Sequence, residues 1–168
     1  MSNAKKRPKI KLVKTKVEWL WDFIGYSTYI GMIVFLVYKW NEIPAKVPAH
    51  FNALGEVDRW GAKMELLILP IIGALIAVLM QVIEKFPEVH NYPDRLNEGN
   101  AKEFYLLSRK MINSIKNICL IIFSLILFES VTIALGSGEG FGALFLPILL
   151  LSVFIPIITG IVKQQRIR

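Results

Sequence analysis

Apolar residues collect in four long blocks, about 24–40, 66–83, 115–135 and 141–162, with polar stretches between them. Each block approaches the roughly 20 residues a helix needs to cross a hydrocarbon core of about 30 Å. None carries Lys or Arg in its interior, and only Glu129 puts a formal charge well inside one. In lipid every backbone N–H and C=O must pair within its own segment or a closed barrel, and these unbroken runs lack the alternation of barrel strands. The pattern predicts an all-α polytopic membrane protein of four transmembrane helices. A basic tail with interfacial Trp, residues 1–23, precedes one membrane domain over 24–168.

Charge orients this bundle. Lys5, Lys6, Arg7, Lys9, Lys11, Lys14 and Lys16 precede the first block, Lys85, Arg95, Lys102, Arg109 and Lys110 lie between the second and third, and Lys163, Arg166 and Arg168 follow the fourth. The segment between the first two blocks has only Lys46, Arg59 and Lys63, and the turn Gly136–Gly140 has no basic residue. The positive-inside rule then predicts both termini in the cytoplasm, with the chain as a multi-pass protein of the cell membrane. The first block is too long for a signal-peptide h-region and runs into Tyr38-Lys39-Trp40, so cleavage is not expected. With 168 residues, 54% of them hydrophobic, and a net charge of +7, the basic surplus leads straight into membrane helices. Anionic inner-leaflet lipid is the expected partner of that charge, and nucleic acid is not. Trp19, Trp21, Trp40 and Trp60 fall near expected interfaces, where indole rings settle.

The two long polar segments differ in kind. In 41–63, Pro44 and Pro48 forbid a continuous helix, Gly55 and Gly61 permit turns, and Asn52 and Asp58 can close turns with their side chains. A compact, structured outer loop is predicted. In about 84–113, Pro87 and Pro93 break the start, after which Phe104, Leu107 and Met111 recur at amphipathic-helix spacing. That helix lies at the cytoplasmic interface and continues into the third crossing, or is a solvated linker helix.

Chemistry-bearing residues are few. His50 and Asp58 suit proton movement or metal ligation, but two such residues make no metal set, and the alternative is that His50, Asn52 and Asp58 hydrogen-bond the loop backbone. Glu129 is costly inside a bilayer and so a functional candidate. Seven residues before Gly136, about 10 Å of helix rise, it is expected towards the outer leaflet, facing the bundle beneath His50 and Asp58. Ser124, Ser130 and Thr132 on its helix permit close packing, and Pro70, Pro147 and Pro156 are expected to kink helices two and four. The single Cys119 allows no intramolecular disulfide. No catalytic triad order, phosphate loop or His-Glu-x-x-His motif is present, so a non-enzymatic protein without cofactor is expected.

The positions Pro44, Val47, Pro48, His50, Phe51, Asn52, Gly55, Asp58, Trp60 and Lys63 resemble the signature loop of bacterial membrane proteins of the domain of unknown function family 1648, which also opens SdpI-like immunity proteins. His90-Asn-Tyr-Pro93, Asn97, Asn100, Tyr105 and Arg109 resemble short members of that family, extending the likeness from Ile24 to about Arg109. The resemblance implies a binding role for the outer loop, in protection from a secreted peptide or in envelope sensing, with a membrane protein as a further possible partner. His50, Asn52, Asp58, Trp60, Lys63 and Glu129 are its ligand-binding candidates, and Pro44, Pro48 and Gly55 its structural ones. The alternatives are a small transporter subunit using Glu129 and, third, an envelope enzyme.

Overall fold

The structure is a computed structural model that describes residues 7–168; Lys5 and Lys6 of the basic cluster lie outside the described residues. Among the described residues four helices are long and apolar enough to cross a membrane. They are α1 (Lys16–Lys39), α2 (Ile68–Lys85, entered through a 3-10 turn at Lys63–Leu67), α3 (Ala101–Ala134) and α4 (Phe145–Gln165). Between α1 and α2 the chain forms an antiparallel hairpin, β1 (Lys46–Phe51) and β2 (Val57–Ala62), so the fold is mostly helical with one small sheet. The chain is a multi-pass membrane protein.

Two helices start earlier than the apolar blocks indicate. α1 begins at Lys16, where Thr15 and Glu18 form a reciprocal cap, so Trp19 and Trp21 are helical rather than part of a tail ending at residue 23. α3 runs for 34 residues, about 51 Å at 1.5 Å per residue, and its first third projects beyond the thickness of a hydrocarbon core. The amphipathic segment at Phe104 is thus one continuous helix with the third crossing. Pro70 and Pro147 stand in the first turns of α2 and α4, where a missing N–H leaves no intrahelical bond unmade, so only Pro156 interrupts a helix interior.

α3 is the hub: α1, α2 and α4 each pack on it. Its buried stripe recurs every three or four residues, through Phe104, Ser108, Arg109, Asn113, Lys116, Asn117, Leu120, Ser124, Leu127 and Val131. The opposite faces of the outer helices are apolar and exposed, and in α4 only Gly160 is buried, as expected of surfaces solvated by lipid. One apolar cluster, with Met32, Leu36, Ile43, Val47, Leu66, Leu127 and Val131, anchors the hairpin to the helix ends. Another joins Ile10, Tyr92, Phe104, Tyr105 and Ile167 at the opposite end, so both chain ends and the 86–100 segment share one face.

Helix α1 approaches α3 closely at Gly25, where an added Cβ would lie 2.3 Å from Asn117 Oδ1. Asn117 is fully buried and cannot swing away. Gly25→Ala is therefore expected to destabilise the fold by about 1–3 kcal/mol, the usual cost of overpacking, in unfolding measured in mixed micelles. Native stability of the variant would mean that the α1–α3 contact is not tight.

Candidate functional site

The hairpin is built by its own polar residues. The Asn52 side-chain oxygen accepts from the N–H of Leu54 (2.9 Å) and of Glu56 (3.0 Å), closing the turn at whose far side Gly55 sits with φ +75°. His50 Nδ1 lies 2.6 Å from Asp58 Oδ1 across the strands, with both side chains exposed. Of the three residues expected to bond the loop backbone, only Asn52 does so; His50 and Asp58 bond each other. Arg59 donates to Ala49 O (3.1 Å) and to Glu65 Oε2 (2.9 Å), and Glu65 Oε1 accepts from Ala62 N (3.0 Å). Lys63 donates to the carbonyls of Trp40 and Ile43 with its ammonium 4.6 Å from the Trp40 ring centroid, and so locks the hairpin base. Trp60 is exposed. Among the described residues no group of three metal-ligating side chains converges.

Behind this hairpin lies a cavity of about 340 Å³. Its walls are Leu66 of the 3-10 turn, Ile68 and Leu69 at the start of α2, Ile126, Leu127 and Ser130 of α3, and Phe145, Leu146 and Leu149 of α4. His50, Asn52, Arg59 and Glu65 form its polar side. This volume is at the small end of ligand pockets, and an apolar wall with a few convergent polar groups is their usual chemistry. The structure brings His50 and Asn52 to the cavity, while Asp58, Trp60 and Lys63 do not line it.

Glu129 bonds neither His50 nor Asp58, which bond each other. It faces the protein, but its Oε1 accepts from Gly140 N (2.7 Å), and Oε2 lies 3.4 Å from Thr132 Oγ1. The side-chain donors of the hairpin are engaged elsewhere: His50 with Asp58, Arg59 with Glu65, and Lys63 with two carbonyls. The loop after α3 folds back over the helix end, and its backbone N–H needs an acceptor there. That loop in turn holds the hairpin tip, through Phe141 N to Gly55 O (3.0 Å) and Phe141 against Phe51, ring centroids 5.0 Å apart. Glu129 thus reaches the signature loop through one intermediary.

The largest polar constellation lies at the other end. Arg109 grips Glu18 with two parallel bonds (2.8 and 3.0 Å) and spends further N–H groups on Leu12 O and Val13 O. Lys116, fully buried, donates to Glu84 Oε1 (2.7 Å), Gln81 Oε1 (2.8 Å) and Asp22 Oδ1 (3.0 Å). Lys14 closes the ring from the extended N-terminal segment, at 2.5 Å from Asp22 and 3.0 Å from Glu84. Asn113 and Asn117 both donate to Asp22 Oδ1. Three acids, Glu18, Asp22 and Glu84, balance three bases, Lys14, Arg109 and Lys116, which is how buried charge becomes tolerable. Burial works against the charge on Lys14, and the bonds from Asp22 and Glu84 outweigh it, holding its pKa above the ordinary 10.5.

The sequence reading missed this network, although its signal was present. Glu18 and Asp22 are four apart, Gln81 and Glu84 three, and Arg109, Asn113, Lys116 and Asn117 recur at four, three and one, so each helix carries its polar residues on one face.

Taken together, the molecule is a four-helix membrane protein whose first two helices are linked by a β-hairpin seated over a small cavity. Residues 28–74, which span the hairpin and the flanking parts of α1 and α2, match the family described as Domain of unknown function (DUF1648), in line with the signature-loop resemblance. An "Uncharacterized protein" of Archaeoglobus fulgidus is 31% identical over 91 residues, covering 53% of this chain and 42% of that relative. The matched stretch is thus less than half of the archaeal protein. No solved structure matches the chain.

Proposed function

We propose that the chain is a non-enzymatic protein of the cell membrane that recognises a peptide or envelope component at the cavity behind the hairpin, for protection or sensing. The observation carrying this reading is that residues of the family segment, His50, Asn52 and Arg59, share one cavity with apolar side chains from three helices. Lys and Arg are concentrated on the face opposite the hairpin, which supports a cytoplasmic basic face and an outward hairpin. A cavity of about 340 Å³ with apolar walls suits one or two large apolar side chains of an amphipathic peptide. Glu129, on which transport would turn, is engaged by Gly140 outside the cavity, so binding is the stronger reading.

The test is deletion of the gene and challenge with a panel of antimicrobial peptides, complemented by the native chain or by Leu146→Trp. Leu146 lines the cavity from a largely lipid-facing helix, so the larger ring fills space without entering the core. The native chain should restore survival against at least one peptide. The variant should require roughly tenfold less peptide for killing, about 1.4 kcal/mol of lost affinity. Equal protection by the variant would remove the cavity from the mechanism, and sensitivity unchanged on deletion would overturn the protective role.

A further inference from the structure

The balanced ion network forms the back wall of a second cavity, on the face shared by the chain ends. This cleft of about 510 Å³ lies between the extended N-terminal segment and the facing ends of α1 and α2, with Lys11, Lys85, Trp19, Tyr26, Ile10 and Leu12 among its lining residues. Its charges divide into two groups. Lys14, Asp22, Glu84 and Arg109 also reach it, but each is neutralised within the network. Lys11 and Lys85 are exposed, and neither has an ion-pair partner among the described residues. The cleft therefore presents two uncompensated positive charges to whatever enters it.

Its depth identifies the medium. The apolar blocks of α1 and α2 begin and end next to it, at about 24 and 83, so the mouth lies where hydrocarbon gives way to headgroups. Trp19, 63% exposed, stands on the same rim, the position an indole takes at such an interface. Gln81 in the lining is held by Lys116, while Ile10, Leu12, Tyr26 and Pro87 are apolar or amphipathic and would meet a glycerol backbone and upper acyl chain.

We propose that this cleft is a site for one anionic phospholipid, with its phosphate held between the ammonium groups of Lys11 and Lys85 and its glycerol region against Trp19 and Tyr26. The occupant is a lipid rather than free phosphate, because the charged pair is backed by apolar surface at interfacial depth. The inference is independent of the hairpin cavity, which lies at the other end of the helices. It narrows the general attraction between basic residues and anionic lipid to one place.

The test is native mass spectrometry of the full chain in detergent, titrated with phosphatidylglycerol, phosphatidylcholine or inorganic phosphate. One phosphatidylglycerol should be retained per chain, phosphatidylcholine should not, and millimolar inorganic phosphate should leave the lipid bound. Lys11→Gln with Lys85→Gln should weaken retention about thirtyfold, as two lysines near a membrane surface supply, and the double Arg variant should retain it. Lys9→Gln with Lys163→Gln removes two exposed charges outside the cleft and should change retention little. Equal loss in that control would reduce the effect to diffuse attraction and overturn the site, as would equal binding of phosphatidylcholine. Displacement by inorganic phosphate would overturn the lipid as occupant. Melting of each variant at the native temperature keeps a folding defect from imitating any of these results.

Discussion

Lys116→Met should cost about 3–5 kcal/mol of folding free energy, the largest loss expected from any single surface-neutral exchange in this chain. The side chains are of similar length, so the change removes charge and three donors with little change of shape. Asp22 and Glu84 would then share Lys14 alone, at an interior position where Glu84 is 2% exposed. Magnitude separates two accounts of the network. Side-chain hydrogen bonds between membrane helices average about 0.6 kcal/mol, with about 1.7 as an upper value, because polar groups find other partners in the unfolded but inserted state. A loss of 3 kcal/mol or more would mark an uncompensated buried charge, and a loss below 1 would mean the network is only a set of ordinary hydrogen bonds. Adding Glu84→Gln to Lys116→Met should recover part of the stability, since it restores the balance of charge. A double variant less stable than the single one would contradict the balance argument. Unfolding by a denaturing detergent in mixed micelles measures all three.

The membrane crossings were legible because lipid imposes one rule on every residue of a span, and the rule leaves a block of apolar side chains. The same rule hid the helix starts. Arg109 and Asn113 read as polar connector, and Lys116 and Asn117 as the edge of the third apolar block, because hydropathy is summed over all faces of a helix, whereas in α3 all four occupy the one face turned from lipid. The cap formed by Thr15 and Glu18 was a local signal that would have moved α1 back to Lys16. The hairpin escaped because its strands are six residues each, carry Pro48 and are irregular in register around His50, so neither propensity nor alternation marks them. Its order was nonetheless readable from Asn52 and Gly55, which act through local geometry. Glu129 shows the limit in the other direction. Its inward orientation followed from the cost of a carboxyl in lipid, but its partner is a backbone N–H of a returning loop, and no residue pattern announces that.

Gly55→Val should undock the hairpin tip and open the outer cavity. Two effects act on the same residue. The backbone stands at φ +75°, which costs an ordinary side chain about 1–2 kcal/mol and is worse for a β-branched one. A Cβ would also lie 2.7 Å from both the N and the O of Gly142, backbone atoms held in the loop that Glu129 anchors. Such overpacking adds about 1–3 kcal/mol. Even the lower sum would raise the open population about thirtyfold, and protease cutting between Pro48 and Trp60 should rise with it in protein held in nanodiscs. Gly142→Ala separates the two effects: φ there is +71°, yet nothing lies within 4 Å of an added Cβ, so strain acts without contact. Cutting should rise much less in that variant. Equal cutting in both would assign the effect to backbone strain alone. Native resistance in Gly55→Val would mean that the hairpin is not held by the 136–142 loop, and the link from Glu129 through Gly140 and Phe141 to the cavity would lose its last contact.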